Sequence, residues 1–102
     1  MINKIQNNNF EEVKSAEVAV VDFSATWCGP CKMLAPVFDE LSNEMTNAKF
    51  FSADVDENSD LATKYGISSV PTIIVFKGGT PVAANAGFMP KEVIKGWIED
   101  NI

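Results

Sequence analysis

The sequence predicts an α/β fold in which one mixed sheet carries helices on both faces. Segments with the apolar pattern of strands alternate with segments of helical periodicity, in the order βαβαβαββα. Strands joined through helices require parallel crossovers, whereas Gly78-Gly79 alone separates the last two strands and is typical of an antiparallel hairpin. With 102 residues, the chain has the length of one domain with one modest core.

The first two elements are a short strand and a short helix. Residues Ile2 to Ile5 are the strand candidate. Asn8 can cap the following helix, because Glu11 stands three residues later and completes a capping box. Phe10 and Val13 are then expected to face the core.

A central strand and a long helix follow. Val18 to Phe23 is apolar on both faces apart from Asp22, which is typical of a strand buried on both sides. From residue 31 onward, apolar residues recur with the spacing of a helix, at Leu34, Val37, Phe38, Leu41 and Met45. Lys49 to Val55 is predicted as the next strand, followed by an acidic turn.

The remaining elements are a short helix, the hairpin and a terminal helix. Asn58 or Ser59 is expected to cap the short helix, and Gly66 to end it. Thr72 to Phe76 and Pro81 to Ala86 form the hairpin, and Pro81 favours an edge position for the second strand. The last helix is expected to start at Pro90. It is expected to bury an apolar face made of Val93, Ile94, Trp97 and Ile98.

The composition excludes several classes of partner. A net charge of −6 argues against binding to nucleic acid or to an anionic membrane. The first residues lack the apolar stretch of a signal peptide, so we expect a cytoplasmic protein. In that compartment thiols are kept reduced, and a disulfide is usually transient and catalytic.

The only two cysteines stand in the segment Trp27-Cys28-Gly29-Pro30-Cys31, where a buried strand gives way to a helix. The start of a helix carries free N–H groups and a partial positive charge. Both stabilise a thiolate, which is the nucleophile of sulfur chemistry. Because Cys31 follows Cys28 by about one helical turn, the pair can close a disulfide and act as a reversible two-electron switch.

Other uses of the two thiols fit less well. A structural zinc site needs four ligands, and two cysteines without any histidine cannot supply them. A structural disulfide across so short a loop would stabilise the fold very little. Two unreactive buried cysteines remain as the alternative to a redox function.

Residues along the whole chain resemble the thioredoxin family. They occur in the family's order and spacing: Asp22-Phe23, Ala25, Trp27 to Met33, Ala35-Pro36, Tyr65-Gly66-Ile67, Val70-Pro71-Thr72 and Gly87. The resemblance implies a single thioredoxin domain over residues 1–102, with a five-stranded sheet and four helices. It also implies a protein-disulfide reductase without a bound cofactor, acting as a monomer on client proteins and recycled by a thioredoxin reductase.

The resemblance also assigns roles to the cysteine segment. Cys28, at the exposed start of the helix, attacks a client disulfide, and Cys31, nearer the interior, resolves the mixed disulfide. Gly29 lets the backbone pass close to a partner, and Pro30 fixes the first helical turn. Lys32 is either a solvated helix residue or a minor electrostatic support for the thiolates.

Asp22 is expected to be the buried acid that takes up the proton of Cys31. The alternative is a carboxylate satisfied by water or backbone at the end of a strand. Many family members place a Lys beside this Asp, but Ser52 stands at the matching position here. The charged form of Asp22 is therefore expected to be less favoured than usual.

The resemblance predicts a cis Val70–Pro71 bond facing the cysteine pair, although most X–Pro bonds are trans. Around the pair, Trp27, Val70, Pro71, Gly87 and Phe88 are the candidates for a client-binding rim. Core packing is the alternative, and it is the interpretation we favour for Ile67.

Two rival functions are compatible with the same fold. An oxidant or isomerase is disfavoured by the Gly29-Pro30 spacer, because such members typically carry a His between the cysteines. A non-enzymatic binding module is the second rival. Replacement of both cysteines by serine distinguishes it, since binding would survive.

Overall fold

The computed structural model describes all 102 residues, which form five strands and four helices in the predicted order. The strands are β1 (Ile2–Ile5), β2 (Val18–Ser24), β3 (Lys49–Asp54), β4 (Thr72–Lys77) and β5 (Thr80–Ala86). The helices are α1 (Glu11–Ser15), α2 (Gly29–Glu44), α3 (Ser59–Lys64) and α4 (Lys91–Asp100). The predicted fold class is confirmed. No helix combines the length and the apolarity needed to cross a membrane.

The sheet is mixed, with the strand order β1-β3-β2-β4-β5. β3 pairs in parallel with both β1 and β2, whereas β4 pairs antiparallel with β2 and with β5. β2 is the middle strand and is buried on both faces, which explains its nearly continuous apolar sequence. β5 lies at the edge, so the position predicted for Pro81 is confirmed.

Each face of the sheet packs against two helices. On one face, α2 and α4 cover a cluster that contains Val20, Phe50, Ile73, Val75, Leu34, Phe38, Leu41, Ile94 and Ile98. On the other face, α1 and α3 cover a cluster that contains Val21, Phe23, Phe51, Ile74, Phe76, Phe10, Val13 and Leu61. The inward orientation predicted for Phe10 and Val13 is thus confirmed. Burial of such side chains typically stabilises a fold by roughly 1.5–3 kcal/mol each.

The hairpin turn needs its two glycines. Gly78 and Gly79 both have positive φ angles, of 59° and 82°. A two-residue turn of this kind requires left-handed backbone at both positions, which glycine adopts without steric cost. A Cβ at Gly79 would also lie 3.2 Å from the Cα of Lys14, because α1 packs closely against the turn.

The predicted capping box of α1 is wrong. Phe10 occupies the N-cap of α1 without any side-chain hydrogen bond. The Asn8 side chain instead caps α3, where its Oδ1 accepts hydrogen bonds from the backbone N–H groups of Asp60 and Leu61 at 3.1 and 3.2 Å. The left-handed backbone at Asn8, with a φ of 57°, belongs to the turn that places this residue beside a helix fifty positions away.

Three further expectations about helix ends and faces need correction. Asn58 stands at the N-cap of α3 as expected, but its side chain makes no capping hydrogen bond there. In α4, Pro90 is the N-cap residue rather than the first helical residue. Val93 is exposed, whereas Ile94 and Ile98 are fully buried, because the buried stripe of this short helix is narrower than its apolar sequence.

Candidate functional site: the cysteine pair at the start of α2

The two cysteines are joined by a disulfide at the junction of β2 and α2. Cys28 is the N-cap residue, with extended backbone, and the helix begins at Gly29. Cys31 lies in the first turn, and the two Cα atoms are 5.3 Å apart. The predicted position of the pair, where a buried strand ends and a helix begins, is confirmed.

Cys28 Sγ lies where a thiolate would be stabilised. The backbone N–H of Cys31 donates to this sulfur at 3.2 Å. This is the usual bond of an N-cap side chain, which accepts from a free N–H of the first helical turn. Pro30, in the same first turn, removes an N–H that would have had no partner there. Hydrogen bonding and the helix N-terminus both favour the charged form of Cys28 once the disulfide is reduced.

The expected difference in exposure between the two cysteines is wrong for the disulfide form. Cys28 is 6% exposed and Cys31 is 5% exposed, so both sulfurs are buried. The two residues differ in what surrounds them. Cys28 Sγ lies 3.6 Å from the backbone oxygen of Val70. Cys31 lines a cavity on the side of the sheet that α2 covers.

The Val70–Pro71 bond is cis, as the resemblance predicted. The bond lies beside the cysteine pair, because the Val70 carbonyl approaches Cys28 Sγ. The Pro71 carbonyl accepts a hydrogen bond of 2.8 Å from the N–H of Gly87. The loop before β4 and the end of β5 are therefore held together next to Cys28.

Asp22 is a buried carboxyl group in β2. Its residue is 4% exposed, and its Oδ1 atom has no hydrogen-bond partner in the protein. Burial raises the pKa of Asp22 from 3.8 to about 7, because the ionised form loses its hydration. No backbone group bonds this Oδ1 atom, whereas the alternative expected a carboxylate satisfied by water or backbone. A carboxyl group that titrates near neutral pH can both accept and release a proton under cellular conditions.

Ser52 is the register partner of Asp22 in β3, and Lys4 is the register partner of Ser52 in β1. Paired residues of parallel strands direct their side chains to the same face. Val20 precedes Asp22 by two residues and packs under α2. The row Lys4, Ser52 and Asp22 therefore faces α2.

A cavity of about 260 Å³ lies at this end of the sheet. Four parts of the chain form its walls: β1, the end of β2, the first turns of α2, and β3 with the turn after it. Cys31 lines the cavity, and the lining residues that carry polar or charged side chains are Lys4, Ser24, Thr26, Lys32, Ser52, Asp54 and Glu57.

A groove beside the cysteine pair carries part of the expected client-binding rim. Trp27 is 71% exposed, and its Nε1 donates to Asp56 Oδ2 at 3.1 Å. The groove has a volume of about 360 Å³ and is lined by Trp27, Val55, Ile67, Ser68, Ser69 and Val70. Ile67 also packs against the core under α3, so it has both the favoured core role and a place in the groove.

The remaining predicted residues do not line that groove. Phe88 is exposed and Gly87 half-buried in the segment after β5. Lys32 is exposed and lines the cavity beside Cys31, but it forms no ion pair. The ion pairs of the chain instead join Lys91 and Lys95 of α4 to Glu40 and Glu44 of α2.

Sequence reasoning gave no site role to several residues of this region, among them Lys4, Asp56, Ser68 and Ser69. Asp56 belongs to the acidic turn after β3, and the position of that turn at the carboxyl end of a parallel strand was the available signal. No comparable signal pointed to Lys4, which stands in an edge strand far from the cysteines in sequence. No group of three or more His, Cys, Asp or Glu side chains is arranged to hold a metal ion.

Comparison with known proteins identifies relatives of this architecture. A family model described as Thioredoxin matches residues 1–100. The thioredoxin of Staphylococcus saprophyticus is 46% identical over 102 residues, which cover 99% of this chain and 98% of the relative. The thioredoxin of Bacillus subtilis is 43% identical with the same coverage. The thioredoxin of Staphylococcus haemolyticus is 50% identical over 92 residues, which cover 89% and 88% of the two chains.

Proposed function

The chain belongs to the thioredoxin family, and from this premise we propose how its residues divide the reaction. It is a thiol–disulfide oxidoreductase that reduces disulfides in proteins. We propose that residues 1–102 act as a single domain, with Cys28 as the attacking thiol and Cys31 as the resolving thiol.

The reaction has two exchanges. The Cys28 thiolate attacks a client disulfide, one client sulfur leaves as a thiolate, and a mixed disulfide forms. The Cys31 thiolate then attacks Cys28 Sγ, the bond to the client breaks, and the second client thiolate leaves. The client has gained two electrons, and the protein holds the Cys28–Cys31 disulfide.

The N-cap position of Cys28 carries this assignment. Its sulfur accepts the N–H of Cys31 and stands at the start of a helix of 16 residues, so its thiolate is stabilised before any client arrives. Cys28 Sγ also faces the Val70 carbonyl, beside the groove at Trp27. An extended client segment can pair with backbone groups there while its disulfide meets the sulfur.

Asp22 acts as the proton acceptor of the resolving thiol. Cys31 must lose its proton before it can attack, and Asp22 is a buried acid on the face that α2 covers. Because burial raises the pKa of Asp22 to about 7, the group can take up a proton and return it near neutral pH. Trp27, Val70, Pro71, Gly87 and Phe88 form the client-binding rim in this proposal.

The partners follow from the chemistry. The oxidised protein needs an electron donor, for which a thioredoxin reductase is the expected class, and its substrates are client proteins with accessible disulfides. The electrons are stored in the two sulfurs, so the proposed cycle uses no bound cofactor. We place this cycle in the cytoplasm, where a reducing thiol pool keeps such a disulfide transient, with the protein acting as a monomer.

Trapping experiments test the order of attack. Cys28→Ser should abolish insulin-disulfide reduction, whereas Cys31→Ser should accumulate a mixed disulfide with the client at Cys28, visible by non-reducing electrophoresis and mass spectrometry. Adducts on Cys31 in the first variant, with none on Cys28 in the second, would reverse the assignment. Client binding that survives in a variant with both cysteines replaced by serine, together with full biological activity, would favour a non-enzymatic binding module.

A further inference from the structure

The polar row across the sheet leads from the buried acid to an unpaired cation. Lys4, Ser52 and Asp22 are successive register partners on β1, β3 and β2, and they share the face that α2 covers. Adjacent strands lie roughly 4.8 Å apart, so the Cα of Lys4 is about 10 Å from that of Asp22. Only the small side chain of Ser52 stands between them.

The cavity follows that row from Lys4 as far as Ser52, the neighbour of Asp22. Lys4 and Ser52 line it together with Cys31, so an ammonium group inside it would lie near the resolving thiol. The volume of about 260 Å³ is sufficient for several water molecules or for the end of a lysine side chain with water. Lys4 is exposed and forms no ion pair, so no salt bridge holds its ammonium group at the surface.

We propose that Lys4 is a positioning residue whose ammonium group enters the cavity over Ser52 and favours the ionised form of Asp22. This inference rests on the proposed role of Asp22. In the resolving step the S–H bond of Cys31 breaks and its proton passes to the Asp22 carboxylate. The sulfur electron pair forms the bond to Cys28, and the client leaves as a thiolate that takes a proton from water. Only ionised Asp22 can accept the proton, so the cation sets the pH range of the step.

The other charged groups around the cavity are the alternatives to Lys4 as the charge that acts on Asp22. α2 contributes Lys32, β3 contributes Asp54, and the following turn contributes Glu57. On the opposite side of Asp22, its register partner in β4 is the apolar Ile73. Asp54 is already engaged, because its Oδ1 accepts the N–H groups of Asp56 and Glu57. Lys32 is on the helix surface, whereas Lys4 alone lies in the same row as Asp22.

Burial is the cause of the raised pKa of Asp22, and no cation offsets it in the arrangement seen here. Lys4 must therefore move inward from its exposed position to act. The effective dielectric constant at the edge of the cavity lies between that of the protein interior and that of water. A unit charge about 7 Å from the carboxylate then changes its titration midpoint by roughly 0.5 to 1.5 pH units. This range is large enough to measure.

Three charge-removing variants test the proposal: Lys4→Met, Lys32→Met and Lys77→Met. Each removes one positive charge, and Lys77, at the far end of β4, serves as the control for net charge. The Asp22 carboxyl carbon is titrated by NMR in the reduced proteins. The resolving step is followed from pH 5.5 to 9 as release of the second thionitrobenzoate after mixing with Ellman's reagent.

Lys4→Met should raise the Asp22 midpoint by about 0.5 or more and slow the resolving step roughly three- to tenfold at pH 6, with little change at pH 9. The Lys77→Met variant should match the unmodified protein. A midpoint in Lys4→Met equal to that in Lys77→Met, or a larger shift in Lys32→Met, would overturn the inference. The base role of Asp22 is tested separately, because an unchanged resolving rate in Asp22→Asn would refute that role whatever the Lys4 variants show.

Discussion

Asn58, at the start of α3, and Asp22, in β2, are two polar side chains buried in different parts of the molecule. Asn58 is fully buried, and all of its side-chain groups are bonded. Its Nδ2 donates to the carbonyls of Ile5 and Asp54, both at 3.0 Å, and its Oδ1 accepts the N–H of Asn8 at 2.9 Å. Asp22 is almost as buried, yet its Oδ1 has no partner in the protein.

The difference separates a polar group with a structural role from a polar group for which we propose a catalytic role. Asn58 ties β1, the end of β3 and the turn at Asn8 together, and it has no titratable proton. Asp22 ties nothing together, and burial without hydrogen bonds raises its pKa to about 7. A buried carboxyl group without a partner costs stability, and such groups concentrate at active sites. Burial alone therefore does not indicate the role of a polar side chain, but its hydrogen bonds do.

The largest expected change in stability comes from placing a titratable acid at position 58. Asn58→Asp keeps the shape of the side chain but turns an oxygen toward the carbonyls of Ile5 and Asp54. We expect a loss of about 5 kcal/mol in the free energy of unfolding at pH 8. At pH 4 the loss should fall to about 2 kcal/mol, because a protonated carboxyl can donate to one carbonyl. Urea denaturation at the two pH values measures both.

Asn58→Ala is the control for that experiment. It leaves the same backbone groups without partners but adds no charge, so its loss of about 3 kcal/mol should not depend on pH in this range. Equal losses for Asn58→Asp at pH 4 and pH 8 would show that water reaches this site. The contrast with Asp22 would then not hold.

The next largest effect is a gain of stability on replacing Asp22. Folding raises the pKa of Asp22 from 3.8 to about 7, so the unfolded chain loses this proton first as pH rises. The stability associated with protonated Asp22 is complete below about pH 4 and is lost as pH rises through about 7. Asp22→Asn removes this dependence. The variant's advantage in unfolding free energy should grow by about 4 kcal/mol between pH 4 and pH 8.

Parallel urea titrations of both oxidised proteins at pH 4, 6 and 8 measure that growth. A constant difference across the three pH values would mean that Asp22 titrates normally. A loss above about 2 kcal/mol at pH 8, which is typical of breaking a needed buried hydrogen bond, would make Asp22 structural.

The smallest effect concerns the long-range cap. Asn8→Ala removes the acceptor for the N–H groups of Asp60 and Leu61, but the side-chain bonds of Asn58 remain. We expect a loss of about 2 kcal/mol, because removing a helix cap usually costs about 1 kcal/mol and alanine adopts the left-handed backbone of this position at a cost of about 1 kcal/mol more. Amide exchange should show faster opening of α3 and unchanged protection in α2. Equal loosening of both helices would indicate that Asn8 acts on the whole fold.

Local patterns predicted most of the fold and the centre of the site. The apolar run of β2, the helical spacing in α2 and the glycines of the hairpin each act through neighbours in sequence, and all three elements form where expected. Resemblance added the cis bond at Pro71, and it agreed with the central-strand pattern in predicting the burial of Asp22. The errors involve long-range choices, since Asn8 caps α3 instead of α1 and Val93 faces solvent.

The sequence by itself determined the order of the elements, the position of the cysteine pair at a helix start, and the presence of one carboxyl group in an apolar strand. These properties depend on periodicity and on residue type, which are local. Only the tertiary structure decided which distant groups meet. Pairing of β1 with β3 places Lys4 in line with Ser52 and Asp22, and the turn at Asn8 brings that side chain to α3. Strand register and loop path set such encounters, because they depend on the packing of the whole chain at once.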